Sequence, residues 1–242
     1  MKNNNLILFG LFAILTALSS CTHYYYAPNS HNVPLFQKQN EARISVATSR
    51  GDEFEGTEIQ SAYSITKNVG LMLNGFYVNP QDGSEWGKGN LVEFGVGYFK
   101  PMGKYFVFET YGGFGKGKAI NQYGLGKSTA KFSRYFVQPS IGFTTPWFDI
   151  AASSRFCWLD FYKIEYDKIN LNDIVDLDYI KDHNSSFLFE PALTVRGGWK
   201  YIKFQMQLVL SKNLTTPELQ QEKVNFNIGV YAVITDKYRS KP

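Results

Sequence analysis

Ile202-Lys203-Phe204-Gln205-Met206-Gln207-Leu208-Val209-Leu210 is the stretch whose reading decides the fold. Ile202, Phe204, Met206, Leu208 and Leu210 fall on one parity, and Lys203, Gln205 and Gln207 on the other. Successive side chains of an extended chain point to opposite faces, so this period of two describes a strand with one apolar and one polar face. Working outward, the same alternation recurs in nine more segments between Glu41 and Ile234. Their apolar parities run through Ile44 and Val46, Ile59 and Tyr63, Leu71 and Leu73, Phe94 and Val96, and Phe106 and Phe108. They continue through Tyr135 and Val137, Ile150 and Phe156, Phe189 and Leu193, and Ile228 and Val230. No segment shows a convincing helical period.

Composition agrees. The 242 residues include 16 Tyr, 20 Phe, 4 Trp and 21 Gly, and 44% are hydrophobic. That is too apolar for a disordered chain and suits aromatic-rich strands with tight bends. The net charge of +4 comes from scattered Lys and Arg without a basic, aromatic-interleaved run, which argues against nucleic acid.

The connections sort by length. Thr66-Lys67-Asn68, Pro101 to Lys104, Thr144 to Pro146 and Gly198 to Tyr201 are short. Asn79 to Asn90, Gly115 to Ala130, Tyr162 to Ser185 and Ser211 to Lys223 are long. Tight turns at one end and long loops at the other are the layout of a transmembrane barrel. The expectation is therefore all-β: one closed antiparallel transmembrane barrel of about ten strands over 41–236, with a tail at 237–242.

Ahead of the barrel, Lys2 and the apolar run Leu6 to Leu18 have the make-up of a signal peptide over 1–20, too short to span a bilayer as a helix. Leu18-Ser19-Ser20-Cys21 resembles the bacterial lipobox, which implies acylation of Cys21. The only other cysteine, Cys157, then has no disulfide partner and reads as a small packing residue. The Pro-, Asn- and Gln-rich stretch to Asn40 reads as an extended tether over 21–40. With an even number of strands both barrel ends lie on one side, so the tether and its anchor are expected at the periplasm.

With Pro28-Asn29, Asn32, Pro34-Leu35-Phe36 and Gln60-Ser61-Ala62-Tyr63-Ser64-Ile65-Thr66, the chain resembles the outer-membrane β-barrel lipoproteins of Bacteroidota-type bacteria. The recognisable wording covers 18–78. The resemblance brings no catalytic motif. In such lipoproteins an acidic run just after the cysteine marks export to the surface, and Thr22-His23-Tyr24-Tyr25-Tyr26 has none, which again implies a periplasm-facing anchor. The chain departs from the usual barrel ending by running on through Lys237-Tyr238-Arg239-Ser240-Lys241-Pro242.

The polar parity of the strands carries Arg43, Glu93, Glu109, Arg134, Asp149, Arg155, Glu190, Arg196 and Lys203. Unpaired buried charge is costly, so these nearly balanced groups are expected to form an ion-pair and hydrogen-bond network filling a narrow lumen. Asp182-His183 is the nearest thing to a catalytic pair, but no acidic pair supports it. Asp82 and Glu85 are possible companions that nothing in the sequence supports. The acidic, apolar stretch Lys163 to Asp182 lacks the calcium-loop glycine and is expected to stack on a neighbouring loop or meet a partner. Gly112-Gly113-Phe114-Gly115-Lys116-Gly117 lacks the Ser or Thr and the helix of a phosphate loop, so it reads as strand end and loop.

The sequence thus points to a non-enzymatic outer-membrane lipoprotein without catalytic residue, metal or cofactor. Its partners are membrane lipid and a protein met through the loops or tether. A small pore is the alternative. A hydrolase using Asp182 and His183, or a periplasmic lipocalin-like ligand-binding barrel, ranks behind it.

Overall fold

The computed structural model describes residues 23–80, 85–124 and 126–234. Cys21, the leader at 1–20, Asp82 and the tail at 237–242 lie outside the described residues. In chain order the elements are β1 Ala42–Arg50, β2 Glu55–Ser64, β3 Val69–Asn79, β4 Glu85–Met102, β5 Phe106–Tyr123 and β6 Gly126–Thr144. Then follow β7 Phe148–Asp167, α1 Leu171–Asp182, β8 Ser185–Gly198, β9 Ile202–Leu210, the two-residue β10 Lys212–Asn213 and β11 Val224–Ile234. Each strand from β1 to β8 pairs antiparallel with the next, β9 pairs with β11, and β11 returns to β1. The sheet therefore closes into a ten-stranded antiparallel barrel, with β10 added beside β8. Closure leaves no edge, which backbone in lipid requires.

Alternation decides which face meets what. Phe204, Met206, Leu208, Phe94, Val96, Ile141, Leu193 and Ile228 are exposed on the outer wall, while Lys203, Gln205, Gln207, Glu93 and Arg196 are buried inside. Together the outward residues make an apolar belt round the barrel. Tyr105, Trp147 and Trp199 stand exposed at the short turns, where amphipathic rings mark a membrane interface. These turns are held locally. Thr66 Oγ1 accepts from the amides of Asn68 and Val69, and Thr145 Oγ1 from those of Trp147 and Phe148.

Two long connections are more ordered than the sequence suggested. Gly115 to Ala130 is mostly a continuation of β5 and β6, whose ladder runs unbroken to Tyr123–Gly126 and turns at Gly124 with φ +54°. Apart from Ile120, the outward residues there are polar because this hairpin stands beyond the apolar belt, so the alternation that marks a strand in lipid is absent. Tyr162 to Ser185 holds the end of β7 and α1, although no helical period was visible. Asn170 caps α1 by accepting from the Asp173 amide at 2.9 Å. Only Leu177 and Ile180 are buried beneath it, while Leu171 and Val175 stay exposed, which blurs the apolar stripe.

The largest difference lies before β1. Of the stretch expected as an extended tether, residues 23–36 enter the barrel: Tyr25, Tyr26 and Pro28 to Phe36 are buried. A ten-stranded lumen holds more than its own wall side chains, and an extended chain occupies the remainder.

The belt sets a stability prediction. Leu208→Arg places a charge on the lipid face and should cost about 2–4 kcal/mol if it lies near the midplane. The check is urea unfolding of barrels reconstituted in bilayers, where the variant should unfold at lower denaturant than wild type.

Candidate functional site

The candidate site is the lumen with the segment threaded through it. At the long-loop end, the His23 ring packs on Tyr123 with centroids 4.1 Å apart, and His23 Nδ1 lies 3.7 Å from Asp173 of α1. At the short-turn end, Phe36 packs on Phe99 and under the Arg43 guanidinium. The chain then turns through Asn40, whose φ is +62°, into β1. It thus crosses the whole barrel in the direction opposite to β1.

A guest chain brings backbone groups that no strand pairs, and buried N–H and C=O groups need partners. Wall amides supply them. Gln207 accepts from the His31 amide at 2.6 Å and donates to the His31 carbonyl at 3.0 Å. Gln60 donates to Ser30 O, Gln138 to Asn32 O, Asn225 to Pro28 O and Asn121 to Tyr24 O, all within 3.1 Å. Tyr231 Oη donates to Pro34 O at 2.8 Å. Near the long-loop end the backbone itself takes over: Tyr25 N donates to Gln220 O, and Glu222 N to Tyr26 O, each at 2.9 Å.

The charges gather in two groups. In the larger, Arg134 Nε donates to Glu93 Oε1 at 2.9 Å, and Arg155 Nε to Glu190 Oε2 at 2.8 Å. The threaded segment joins these pairs. Arg134 donates to Tyr26 Oη and Asn29 Oδ1, Asn29 Nδ2 donates to Glu93, and Tyr26 Oη donates to Glu190 at 2.7 Å. Cys157, buried as expected, touches this group, its Sγ donating to Glu190 at 3.5 Å. In the second group Lys203 Nζ donates to Asp149 at 2.6 Å, with the Arg196 guanidinium 3.9 Å from the same carboxylate and stacked on Tyr231.

Two of the nine expected network residues behave differently. Glu109 accepts the Phe36 amide at 3.2 Å, in place of a cation. Arg43 pairs with Glu41 at 2.9 Å, a residue just ahead of β1, and also donates to Pro34 O.

Sequence reasoning missed Glu58, which is buried with no cation in its hydrogen-bond shell. Its carboxylate accepts from the Ser30 amide and hydroxyl, from Ser49 Oγ and from Asn225 Nδ2. Its inward parity with Gln60 on β2 was the available signal. The inward amides Gln60, Asn74, Gln138, Gln207 and Asn225, set among the charges, were the signal for a backbone guest.

Two inward glycines make room for that guest. A Cβ on Gly142 would stand 2.5 Å from Leu35 Cδ2, and one on Gly70 would stand 2.9 Å from Phe36 Cε2. Open recesses remain at the two ends. One, of about 140 Å³, is lined by His23 to Ala27, Trp86 and Lys118, and the other, of about 310 Å³, by Pro34, Leu35 and Lys200. Pro28 to Val33 line neither and fill the middle.

The hydrolase residues do not assemble. Asp182 ends α1, and His183 caps it, stacked on Tyr179 with Nδ1 3.1 Å from the Tyr179 carbonyl. Glu85 starts β4. Among the described residues, no group of three or more His, Cys, Asp or Glu is placed to hold a metal ion.

No protein-family model matches the chain, and no curated protein matches it. Among solved structures it is similar to the N-terminal β-barrel domain of Pseudomonas aeruginosa OprF, with TM-score 0.40 and 11% identity over 82% of this chain and 100% of that one. It is similar to Ail, the attachment invasion locus protein of Yersinia pestis, with TM-score 0.40 and 11% identity over 81% and 99%. An outer membrane channel from Pseudomonas putida gives TM-score 0.39 and 9% identity over 85% and 100%. Likeness this loose assigns no activity.

The ionic group yields a double-mutant prediction. Arg134→Ala removes the nearest cation from the buried Glu93 carboxylate, leaving Arg155 at 3.9 Å, and should destabilise the barrel by about 3 kcal/mol, whereas Arg134→Met with Glu93→Leu should recover much of that loss. Denaturant midpoints of the two variants measure the difference.

A second prediction concerns pH at the loop end. Burial pushes the Glu222 carboxyl up to about 7, against the pull of the Glu53 and Asp52 amides that donate to it and with the help of the Asp52 and Glu53 charges. The folded loop therefore holds a proton that the unfolded chain has already lost. Its contribution is full below the ordinary 4.5, declines as pH rises, and is gone above about 7. Opening of the Asp52 and Glu53 amides by hydrogen exchange, normalised to Glu222→Gln, should rise through that window and then level off.

Proposed function

We propose that the chain is an outer-membrane lipoprotein, anchored through Cys21, whose barrel is closed by its own N-terminal segment and serves as a non-enzymatic scaffold. Its working surface is the long-loop end, where the β5–β6 hairpin, α1 and the 211–223 connection surround the mouth. A rigid wall with long, ordered loops at one end is a usual platform for binding a protein partner. The exposed Leu171 and Val175 of α1 offer such a partner apolar contact.

The observation that carries this reading is the buried run Pro28 to Val33, held on several sides by wall residues and bound into the Arg134–Glu93 group. A pore would need that run to leave, breaking the Asn29, His31 and Asn32 hydrogen bonds and uncovering paired charges together. The lumen polar network is thus a fastening for the segment, with Arg134 and Arg155 gripping Asn29.

The test is conductance. Purified protein in planar bilayers should give no steady current, while Asn29→Ala with Gln207→Ala, which loosens the segment, should give intermittent openings. Stable wild-type channels would replace the scaffold reading with transport.

A further inference from the structure

We infer that the N-terminal segment is threaded outward, so that the lipid on Cys21 lies on the cell-exterior side of the membrane, opposite to the end of β11. This rests on the proposed acylation of Cys21 and adds its sidedness, which reverses the periplasmic anchor expected from sequence.

β1 begins and β11 ends at the short-turn end, since Ala42 pairs with both Tyr63 and Ile234. Short turns of such barrels face the periplasm and long loops face outward. The segment before β1 does not stay at that end. Phe36 touches Phe99 near the short turns, and His23 touches Tyr123 and Asp173 at the tips of the long connections. Cys21 precedes His23 by two residues, which span at most about 7 Å. The apolar band of a barrel of this kind is about 25 Å tall. The acylated residue therefore cannot return to the periplasmic leaflet while residues 23–36 occupy the lumen.

The segment is also fixed against sliding. Tyr25 N and Tyr26 O are hydrogen-bonded to Gln220 and Glu222 at the mouth, and Asn29 is locked between Arg134 and Glu93 in the middle. Acyl chains could not be drawn through a lumen filled in this way. The sheet must therefore close around the segment, carrying the lipidated end across while the barrel is still open. Beside the exit, Asp173 of α1 lies 3.7 Å from His23, so this helix flanks the segment where it leaves the lumen.

The experiment places a protease recognition sequence between Thr22 and His23 in the full chain, with metabolic labelling of the acyl chains and a C-terminal tag. Protease added to intact cells should strip all acyl label from the barrel while the tag stays closed to antibody. Cleavage only after the outer membrane is permeabilised would overturn the inference. An uncut barrel that carries no label, matching Cys21→Ala, would overturn the anchor itself, and so separates that failure from a failure of sidedness. Should the insertion disturb folding, single cysteines read the barrel orientation on which the inference depends, because Cys157 is buried and Cys21 is blocked by lipid. Lys168→Cys, exposed at the long-loop end, should react with an impermeant maleimide on intact cells, and Lys104→Cys, exposed in a short turn, only after permeabilisation. The reverse pattern would overturn the inference.

Discussion

A peptide chain running through the centre of a barrel has no neighbouring strand to take its N–H and C=O groups. The rest of the structure answers that constraint. Each wall strand sends alternate residues inward, and several of them are amides that can give and accept at once. Gln207 meets both backbone groups of His31, an arrangement that mimics a strand partner. Replacing such amides by apolar residues would leave the guest unsatisfied at about 1–3 kcal/mol per group. The segment and the wall therefore specify each other.

The charges follow the same logic. Arg134 and Arg155 are fully buried, and a guanidinium without partners in the lumen would be prohibitive. Glu93 and Glu190 neutralise them, and Tyr26 and Asn29 of the segment take donors that a carboxylate cannot reach. Buried pairs of this kind contribute little net stability but penalise any arrangement that separates them. Here that penalty falls on withdrawal of the segment. Glu58 shows the other solution, a carboxylate surrounded by neutral donors from the segment, β1 and β11.

The two ends of the barrel differ in kind. The short-turn end is fixed by hydroxyl-capped turns and ringed by Tyr105, Trp147 and Trp199. The long-loop end is built from a hairpin that outruns the membrane, a capped helix and a folded connection whose Thr216 bonds to Ser186 of β8. Order at that end comes from packing on the segment. Tyr25 bonds to Tyr123, and Leu177, Ile180 and Leu219 share one buried cluster with Tyr25 and Tyr26. The N-terminal segment thus plugs the lumen and also forms part of the core of the mouth.

The sequence by itself determined the barrel. Parity is local, so Phe204 against Gln205 already assigns one residue to lipid and the other to the lumen, and ten such stretches with sorted turns leave few other folds. It also determined which charges lie inside, because Glu93, Arg134 and Glu190 share the inward parity of their strands. Tertiary structure alone decided what those charges hold. Asn29 and Glu93 are 64 positions apart, and Pro28 and Asn225 are 197 apart, so no local pattern links them. Pro28 to Pro34 has no period because its surroundings are a closed wall on every side, and a residue enclosed all round has no preferred face to repeat. For the same reason the extension of β5 and β6 and the helix α1 were hidden. Beyond the lipid, nothing forces one face to be apolar, and their order is supplied by contacts that exist only once the barrel has closed.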